Sequence, residues 1–283
     1  MTQTIAITGA TGQLGRLTID ALKSRAPGAT LVALVRDSAK AADLGVEARP
    51  FDYHKPATLA PALAGVDVLV LISSSDFNDR AGQHANVIRA AEAAGVGRIV
   101  YTSILKGDAS PMILAQDHIA TEALLAASPL TATVARNGWY TENYTGTLAG
   151  ALQAGAVAGA NASGKISPAT RADYAEALAV LASDDAHAGK VYELAGDEAF
   201  TMPDFAAEVS AQTGRDVPYA AMSKEAYAQM LEQVGLPAPV AQIFADSDAC
   251  AAEGALFDDS KTLSRLIGRP TTPLKDAVAA ALR

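Results

Sequence analysis

The clearest chemical signal in the chain is a glycine-rich segment near its start, Gly9-Ala10-Thr11-Gly12-Gln13-Leu14-Gly15. It lies between a short apolar run and a helical pattern, and its glycines have the spacing GxxGxxG. Glycine permits a tight turn and lets the backbone approach a pyrophosphate, while the N–H groups at a helix start attract its negative charge. The segment therefore predicts a dinucleotide-binding loop. The alternative is a tight turn that binds nothing.

The end of the second predicted strand distinguishes between the two nicotinamide dinucleotides. An NAD site has Asp or Glu there for the ribose 2′-OH, whereas an NADP site needs a cation for the 2′-phosphate. This strand ends at Arg36, whose guanidinium can pair with a phosphate and stack on adenine. Asp37 follows one position later, where it would support NAD or cap the next helix. Arg36 favours NADPH as the cofactor.

Two further strand ends place polar side chains at the same predicted edge. Asp52 and Tyr53 follow the third strand, where a carboxylate can accept from the adenine amino group or belong to a solvated turn. Ser73, Ser74 and Ser75 follow the fourth strand. Small hydroxyl side chains there can line the ribose and diphosphate, or serve only the turn.

Short β-rich runs alternate with alanine-rich helical patterns through the first half of the chain. The predicted strands are Thr4–Thr8, Leu31–Arg36, Val46–Phe51, Val68–Ser73, Arg98–Ser103 and Thr131–Arg136, and the predicted helices are Leu14–Arg25, Ala57–Ala64, Gln83–Ala94 and Gln116–Ala127. Several strands are continuous apolar runs, as strands buried on both faces require. The alternation predicts an α/β fold with a doubly wound parallel Rossmann-type sheet.

Helical patterns dominate after Tyr144. They cover Arg171–Ala182, Pro203–Gln212, Lys224–Val234, Pro239–Ala252 and Pro273–Leu282, with strand candidates at Lys190–Leu194 and Val217–Ala220. The Gly- and Ala-rich stretch Gly150–Gly164 marks a soft boundary. We predict an NADP-binding Rossmann domain over 1–144 and a smaller, mainly helical substrate lobe over 145–283. A later return of the chain to the sheet is left open.

The composition narrows the classes of partner and compartment. A net charge of -9 over 283 residues disfavours nucleic acid, which needs a basic footprint. The start MTQTIAITGATG has no targeting pattern, and no apolar run approaches the ~20 residues of a membrane span. One cysteine, Cys250, excludes an internal disulfide. We expect a soluble cytoplasmic protein without a metal site, and a homo-oligomer is compatible with the sequence.

Four segments, ITGATGQLG, LVLISSS, RNGWYTENY and LFDDSKTLSRLIGRPTTPL, together resemble NmrA-like proteins, an atypical branch of the short-chain dehydrogenase/reductase superfamily. Within that branch the resemblance is to the bacterial NADPH:quinone oxidoreductase 2 group, and it extends over essentially the whole chain. It implies an NADP site in a crevice between two domains. The matching residues are Gly9, Ala10, Thr11, Gly12, Gln13, Leu14, Arg36, Ser73, Ser74, Ser75 and the Asn137–Asn143 segment, which lies beside the nicotinamide in such proteins.

One departure from the wider superfamily bears on the reaction. A typical member has Tyr-x-x-x-Lys for proton transfer, but here Leu114 stands in place of the Tyr and His118 in place of the Lys. The loss disfavours reduction of a ketone, whose alkoxide needs a proton at once. A quinone suffers less, because hydride addition gives a delocalised anion that water can protonate later. Positioning and the cofactor then supply most of the acceleration.

The aromatic segment after the sixth strand supplies candidate acceptor contacts. Trp139 and Tyr140 could form flat walls for an aromatic acceptor, and Asn143 could donate to a quinone oxygen. The alternative is packing between domains. His118 is a second catalytic candidate, which could help protonate or position the product or simply bond locally.

We therefore predict an NADPH-dependent oxidoreductase that transfers hydride to a quinone. Triphenylmethane-dye reductases are similar through the N-terminal half, so reduction of such dyes or other conjugated acceptors is an alternative. A second alternative is a redox sensor, since some NmrA-like proteins bind dinucleotide without turnover. The intact aromatic segment favours an enzyme, while the missing Tyr–Lys pair keeps the sensor open.

Overall fold

The computed structural model describes residues 2–283. The strands are β1 (Thr4–Thr8), β2 (Thr30–Val35), β3 (Glu47–Pro50), β4 (Val68–Leu71), β5 (Arg98–Ile104), β6 (Thr131–Asn137), β7 (Val157–Gly159), β8 (Val191–Leu194) and β9 (Tyr219–Ala221). The helices are α1 (Gln13–Arg25), α2 (Leu59–Ala62), α3 (Arg80–Ala94), α4 (Ala115–Ala127), α5 (Glu142–Thr145), α6 (Leu148–Ala154), α7 (Arg171–Ser183), α8 (Met202–Thr213), α9 (Lys224–Gln233), α10 (Ala238–Ala252), α11 (Thr262–Ile267) and α12 (Leu274–Ala281).

The main sheet has the strand order β3-β2-β1-β4-β5-β6-β8. The pairings from β3 to β6 are all parallel, with Ile5 opposite both Leu31 of β2 and Val68 of β4. Every residue of β4 and β5 is buried, as expected for strands covered on both faces. The predicted doubly wound α/β fold is confirmed. Because the order reverses between β1 and β4, ligands are expected at the carboxyl ends of these strands.

Two compact units make up the described chain. The first holds residues up to Ile104 together with Asp117–Asn137 and Arg171–Tyr192; the second holds Leu105–Gln116, Gly138–Thr170 and Glu193–Arg283. The division predicted at 144/145 remains a sequence-based prediction. It lies close to the Asn137/Gly138 junction, and Arg171–Tyr192 form the later return of the chain that the sequence left open.

Helix α7 is the returning element of the first unit. It packs on α1 and contacts β4, β5 and β6, and nearly all of its residues after Ala172 are buried. Arg98 of β5 fixes its C-terminal end, since the buried guanidinium donates to the carbonyls of Leu181 at 2.5 Å and Ala182 at 3.0 Å. These are carbonyls that a helix leaves without internal partners.

The second unit is mainly helical, with a parallel two-stranded sheet of β7 and β9. Helix α8 begins at a capping box in which Thr201 and Asp204 bond each other's backbone N–H groups. The Gly150–Gly164 stretch is not only a turn: it contains most of α6, which ends at left-handed Gly155, and all of β7. Both elements are too short to produce a clear periodicity, which is why the sequence did not predict them.

Candidate functional site

The glycine-rich loop joins the end of β1 to the start of α1. Gly9 has a left-handed backbone with φ of 58°, and its carbonyl accepts from the N–H of Gly12 at 2.9 Å. A Cβ on Gly15 would lie 2.3 Å from the Gly9 oxygen, so the close approach of helix and loop requires glycine there. A Cβ on Gly12 would meet only the Gly9 oxygen, at 3.1 Å. The fold therefore needs Gly9 and Gly15, whereas Gly12 leaves space beside the loop.

The start of α1 can receive an anion. Gly12 is its N-cap, no side chain caps the helix there, and its first turn has no acidic residue. The first N–H groups of a helix have no partners within the helix and lie at its positive end. The loop residues predicted to contact the cofactor, from Gly9 to Leu14, thus surround a site suited to a pyrophosphate.

The structure separates the roles of Arg36 and Asp37. Strand β2 ends at Val35, one residue earlier than predicted, so Arg36 is the first residue beyond it and is exposed. Asp37 caps the short 3-10 helix Ser38–Leu44 by accepting from the N–H of Ala39 at 3.0 Å. This bond favours the capping alternative for Asp37 and supports Arg36 as the cation for a 2′-phosphate.

Asp52 and Tyr53 lie in the turn after β3. The Asp52 carboxylate accepts from the N–H of His54 at 3.1 Å and pairs with Lys55 at 3.3 Å, which matches the turn alternative. Tyr53 is half-buried, with its hydroxyl 3.5 Å from the carbonyl of Ile72 beyond β4. Tyr53 thus lies near the predicted edge of the sheet. Contact of Asp52 and Tyr53 with the cofactor remains a prediction.

Ser74 is held through all of its polar groups by α3. Its N–H donates to Nε2 of His84 at 2.9 Å, its hydroxyl donates to Oε1 of Gln83 at 2.6 Å, and its carbonyl accepts from Nε of Arg80 at 2.6 Å. We call these three α3 residues the α3 cluster. They favour a supporting role for Ser74 and leave the hydroxyls of Ser73 and Ser75 for the predicted ribose and diphosphate contacts.

Asn137 ends β6 and is 3% exposed. Neither Oδ1 nor Nδ2 of its amide has a hydrogen-bond partner among residues 2–283. Buried amides are normally hydrogen-bonded, so the two atoms indicate that a ligand or a water molecule binds here. An amide that can donate and accept suits the polar groups of a dinucleotide, and Asn137 belongs to the same unit as the glycine-rich loop, Arg36 and the serines.

His118 lies on α4 and is buried, with Nδ1 2.8 Å from the hydroxyl of Tyr101. Burial lowers the pKa of His118 well below its ordinary value, helped by the charge of Arg80. Burial also raises the pKa of Tyr101, so both partners are neutral near pH 7. These contacts favour the local hydrogen-bonding alternative for His118, and its catalytic role remains a prediction.

The second unit contains a cavity of about 60 Å³. Trp139 and Asn143 line it, and the Trp139 ring meets that of Phe244 edge-on with centroids 6.5 Å apart. Tyr140 does not line it and instead forms a backbone bridge with Ala169. The structure thus brings two of the three predicted acceptor contacts to one cavity.

Sequence reasoning missed most of the cavity. The other lining residues are Tyr144, Thr147, Val157, Ala158, Met202, Phe205, Tyr227, Phe244, Asp248 and Leu256. Tyr144 had a signal, because it closes the RNGWYTENY segment. Asp248 had none, since it occurs in an ordinary helical pattern. The α3 cluster was also missed, although its residues follow the serine run closely.

Residues 2–283 contain neither a cluster of metal ligands nor a helix that could span a membrane. Among residues 2–283, no group of three or more His, Cys, Asp and Glu side chains could hold a metal ion. In the same range, every helix is too short or too polar to cross a membrane.

Comparison with known proteins gives consistent results. The sequence profile of the NmrA-like family matches residues 1–277. Quinone oxidoreductase 2 of Escherichia coli (strain K12) is 52% identical over 278 residues, 97% of either chain. The solved structure of the Escherichia coli NADPH-dependent quinone oxidoreductase with NADPH superposes with a TM-score of 0.95 at 51% identity, covering 99% of this chain and 100% of that one. The Citrobacter sp. triphenylmethane reductase with NADP(H) gives 0.92 at 36% identity, covering 98% and 99%.

Proposed function

Because the chain belongs to the NmrA-like family, we propose that it is an NADPH-dependent oxidoreductase that transfers hydride to a quinone. The main support is the relative from Escherichia coli, which is 52% identical over 97% of both chains and is a quinone oxidoreductase. The match extends through both units, so it includes the residues proposed for the cofactor and for the acceptor.

The first unit fits NADPH on its own geometry. The loop has space beside Gly12, the start of α1 has no acidic residue, Arg36 is exposed at the end of β2, and the Asn137 amide lacks a partner within residues 2–283. The loop N–H groups would hold the pyrophosphate and Arg36 the 2′-phosphate. When bound, NADPH supplies the hydride.

The second unit supplies the proposed acceptor contacts. Trp139 provides a flat aromatic surface, and Asn143 can donate to an acceptor oxygen as negative charge develops on it. The cavity wall is also apolar over most of its area. A quinone needs no acid within the first step, which agrees with Leu114 and His118 at the positions of the usual Tyr–Lys pair.

Reduction of triphenylmethane dyes is a second candidate, because the Citrobacter sp. triphenylmethane reductase is 36% identical over 98% of the chain. The Escherichia coli quinone oxidoreductase 2 is more similar, at 52% identity, so quinone reduction remains the first candidate. The sensor alternative has no comparable support.

Steady-state oxidation of NADPH tests the proposal. We expect rapid loss of NADPH absorbance with 1,4-benzoquinone, a slower loss with a triphenylmethane dye, and almost none without an acceptor. Parallel assays with NADH check the cofactor preference. Tight NADPH binding without turnover of either acceptor would contradict the proposal and support a sensor.

The single cysteine favours a reducing, cytoplasmic compartment.

A further inference from the structure

The cavity of the second unit is apolar on most of its wall and has a polar group at one side. Aromatic and aliphatic side chains from helices and loops line it, among them Trp139, Phe205, Phe244 and Leu256. A water molecule needs roughly 10–15 Å³ of such space. The volume of about 60 Å³ therefore admits several waters or part of a small ring, since a cavity that holds benzene measures roughly 150 Å³.

Asp248 of α10 is the polar group. Its Oδ2 accepts from the N–H of Ala160 at 2.5 Å and from that of Asn161 at 3.1 Å. No donor among residues 2–283 is bonded to Oδ1. Burial raises the pKa of Asp248 above its ordinary value, against the effect of these two backbone bonds. The carboxyl group is therefore easier to protonate than an exposed aspartate, and Oδ1 is the atom that would hold the proton.

The titratable groups that face Asp248 are three tyrosines from three elements. They are Tyr144 of α5, Tyr219 of β9 and Tyr227 of α9. The hydroxyls of Tyr144 and Tyr219 are buried and have no hydrogen-bond partner among residues 2–283. Burial raises the pKa of all three, so they stay neutral and contribute no charge near pH 7.

Unpartnered buried hydroxyls are rare in folded proteins and indicate an absent ligand or water. The Tyr144 hydroxyl lines the same cavity as the Asp248 carboxyl group, which also has an unbonded oxygen, whereas Tyr219 does not line the cavity. A carboxylic acid kept neutral in an apolar site can donate a hydrogen bond to a carbonyl oxygen. The whole arrangement suits a small ring with oxygen substituents.

We propose that this cavity binds the oxygen-bearing part of the acceptor ring, and that protonated Asp248 donates a hydrogen bond from Oδ1 to the oxygen atom. The identity of the ring rests on the proposed quinone reduction. Asp248 is then a specificity-determining residue that selects a carbonyl oxygen over an apolar ring. The Tyr144 hydroxyl, also at the cavity wall, is a second donor for the same ligand.

Binding of acetophenone without NADPH tests the cavity directly. Acetophenone has one ring and one carbonyl oxygen, and it does not react with Cys250. Trp139 is the only tryptophan, so protein labelled with 5-fluorotryptophan gives one ¹⁹F signal from the cavity wall. We expect this signal to shift on titration, and the affinity to fall as the pH rises and Asp248 loses its proton.

Two substitutions of Asp248 distinguish the effect of its proton from the effect of side-chain packing. Asp248→Asn keeps an oxygen for the N–H groups of Ala160 and Asn161 and places an NH₂ donor at the other position. It should bind acetophenone with an affinity that no longer depends on pH. Asp248→Ala should bind about tenfold more weakly at acidic pH, the loss expected for one hydrogen bond. Tyr144→Phe should cause a smaller loss.

Asp246→Asn is the matched control. Asp246 is also a buried carboxylate of α10, but it pairs with Lys224 at 2.5 Å. This variant should keep the wild-type pH dependence. An unshifted Trp139 signal, or wild-type pH dependence in Asp248→Asn, would overturn the inference. Turnover of 1,4-benzoquinone is measured in parallel: binding without turnover contradicts the proposed function alone, and turnover without binding contradicts this inference alone.

Discussion

The backbone N–H of Ser74 donates a hydrogen bond to Nε2 of His84, with 2.9 Å between the two nitrogens. The bond requires Nε2 without a proton, so the neutral ring has its proton on Nδ1, 2.9 Å from the hydroxyl of Thr121. Burial, with the charge of Arg80, lowers the pKa of His84 to about 3. The position of Ser74 therefore depends on a neutral histidine.

This dependence predicts a loss of stability in mild acid. Below pH 6.5 the unfolded chain binds a proton at His84, while the folded chain does not until about pH 3, so the free energy of unfolding falls as the pH falls. At pH 5 the loss from this one group is about 2 kcal/mol. Denaturant unfolding of wild type and His84→Gln at pH 7 and pH 5 measures it. The difference in the free energy of unfolding between pH 7 and pH 5 should be smaller in His84→Gln than in wild type. It should be unchanged in His54→Gln, which replaces an exposed histidine.

Arg36→Ala should weaken NADPH binding by about 10- to 100-fold and leave NADH binding nearly unchanged. One charged hydrogen bond to the 2′-phosphate contributes about 1.5–3 kcal/mol, and NADH has no such phosphate. Calorimetric titration of both cofactors measures the effect. Arg25→Ala, at the opposite end of α1 from the loop, is the control. An equal loss for both cofactors would remove Arg36 from this role.

Substitution of Gly12 and substitution of Gly15 should have different effects, one on NADPH binding and the other on stability. Gly12→Val should abolish NADPH binding and leave a folded protein, because its Cβ meets only the Gly9 oxygen at 3.1 Å while its methyl groups occupy space proposed for the pyrophosphate. Gly15→Ala should instead reduce stability, since its Cβ would lie 2.3 Å from that oxygen. Thermal melts and NADPH titrations of both variants distinguish the two. Unchanged affinity in Gly12→Val would place the cofactor elsewhere.

Asn143→Ala should lower kcat with 1,4-benzoquinone and barely change NADPH affinity. Loss of one donor to developing charge costs up to ~10²–10³ in rate, and we expect less here because the quinone anion is delocalised. His118→Ala should reduce kcat less, because His118 is buried against Tyr101. The reverse result, with His118→Ala nearly inactive and Asn143→Ala normal, would make His118 the acid and return Asn143 to packing.

Local sequence signals predicted the first unit well. The strand, loop and helix around Gly9–Gly15 are contiguous in the chain, and the strand at Thr4–Thr8 was predicted at its observed bounds. The roles of Arg36 and Asp37 could not be separated from sequence, because the decision rests on one backbone bond to Ala39. The acceptor cavity was harder still. Trp139 and Asp248 are far apart in the chain, and nothing near Asp248 indicates that α10 faces a cavity.

The return of the chain in α7 has a consequence for biosynthesis. During synthesis, Arg98 cannot form its hydrogen bonds until Leu181 and Ala182 have been added to the chain. Leu181 lies 83 residues after Arg98. At a translation rate of ~5–20 residues per second, the delay is roughly 4–17 s. During that interval the buried surface that α7 covers on α1 and the central strands stays open on the nascent chain. A fragment ending at residue 144 would keep that surface open permanently, so we expect it to aggregate rather than fold.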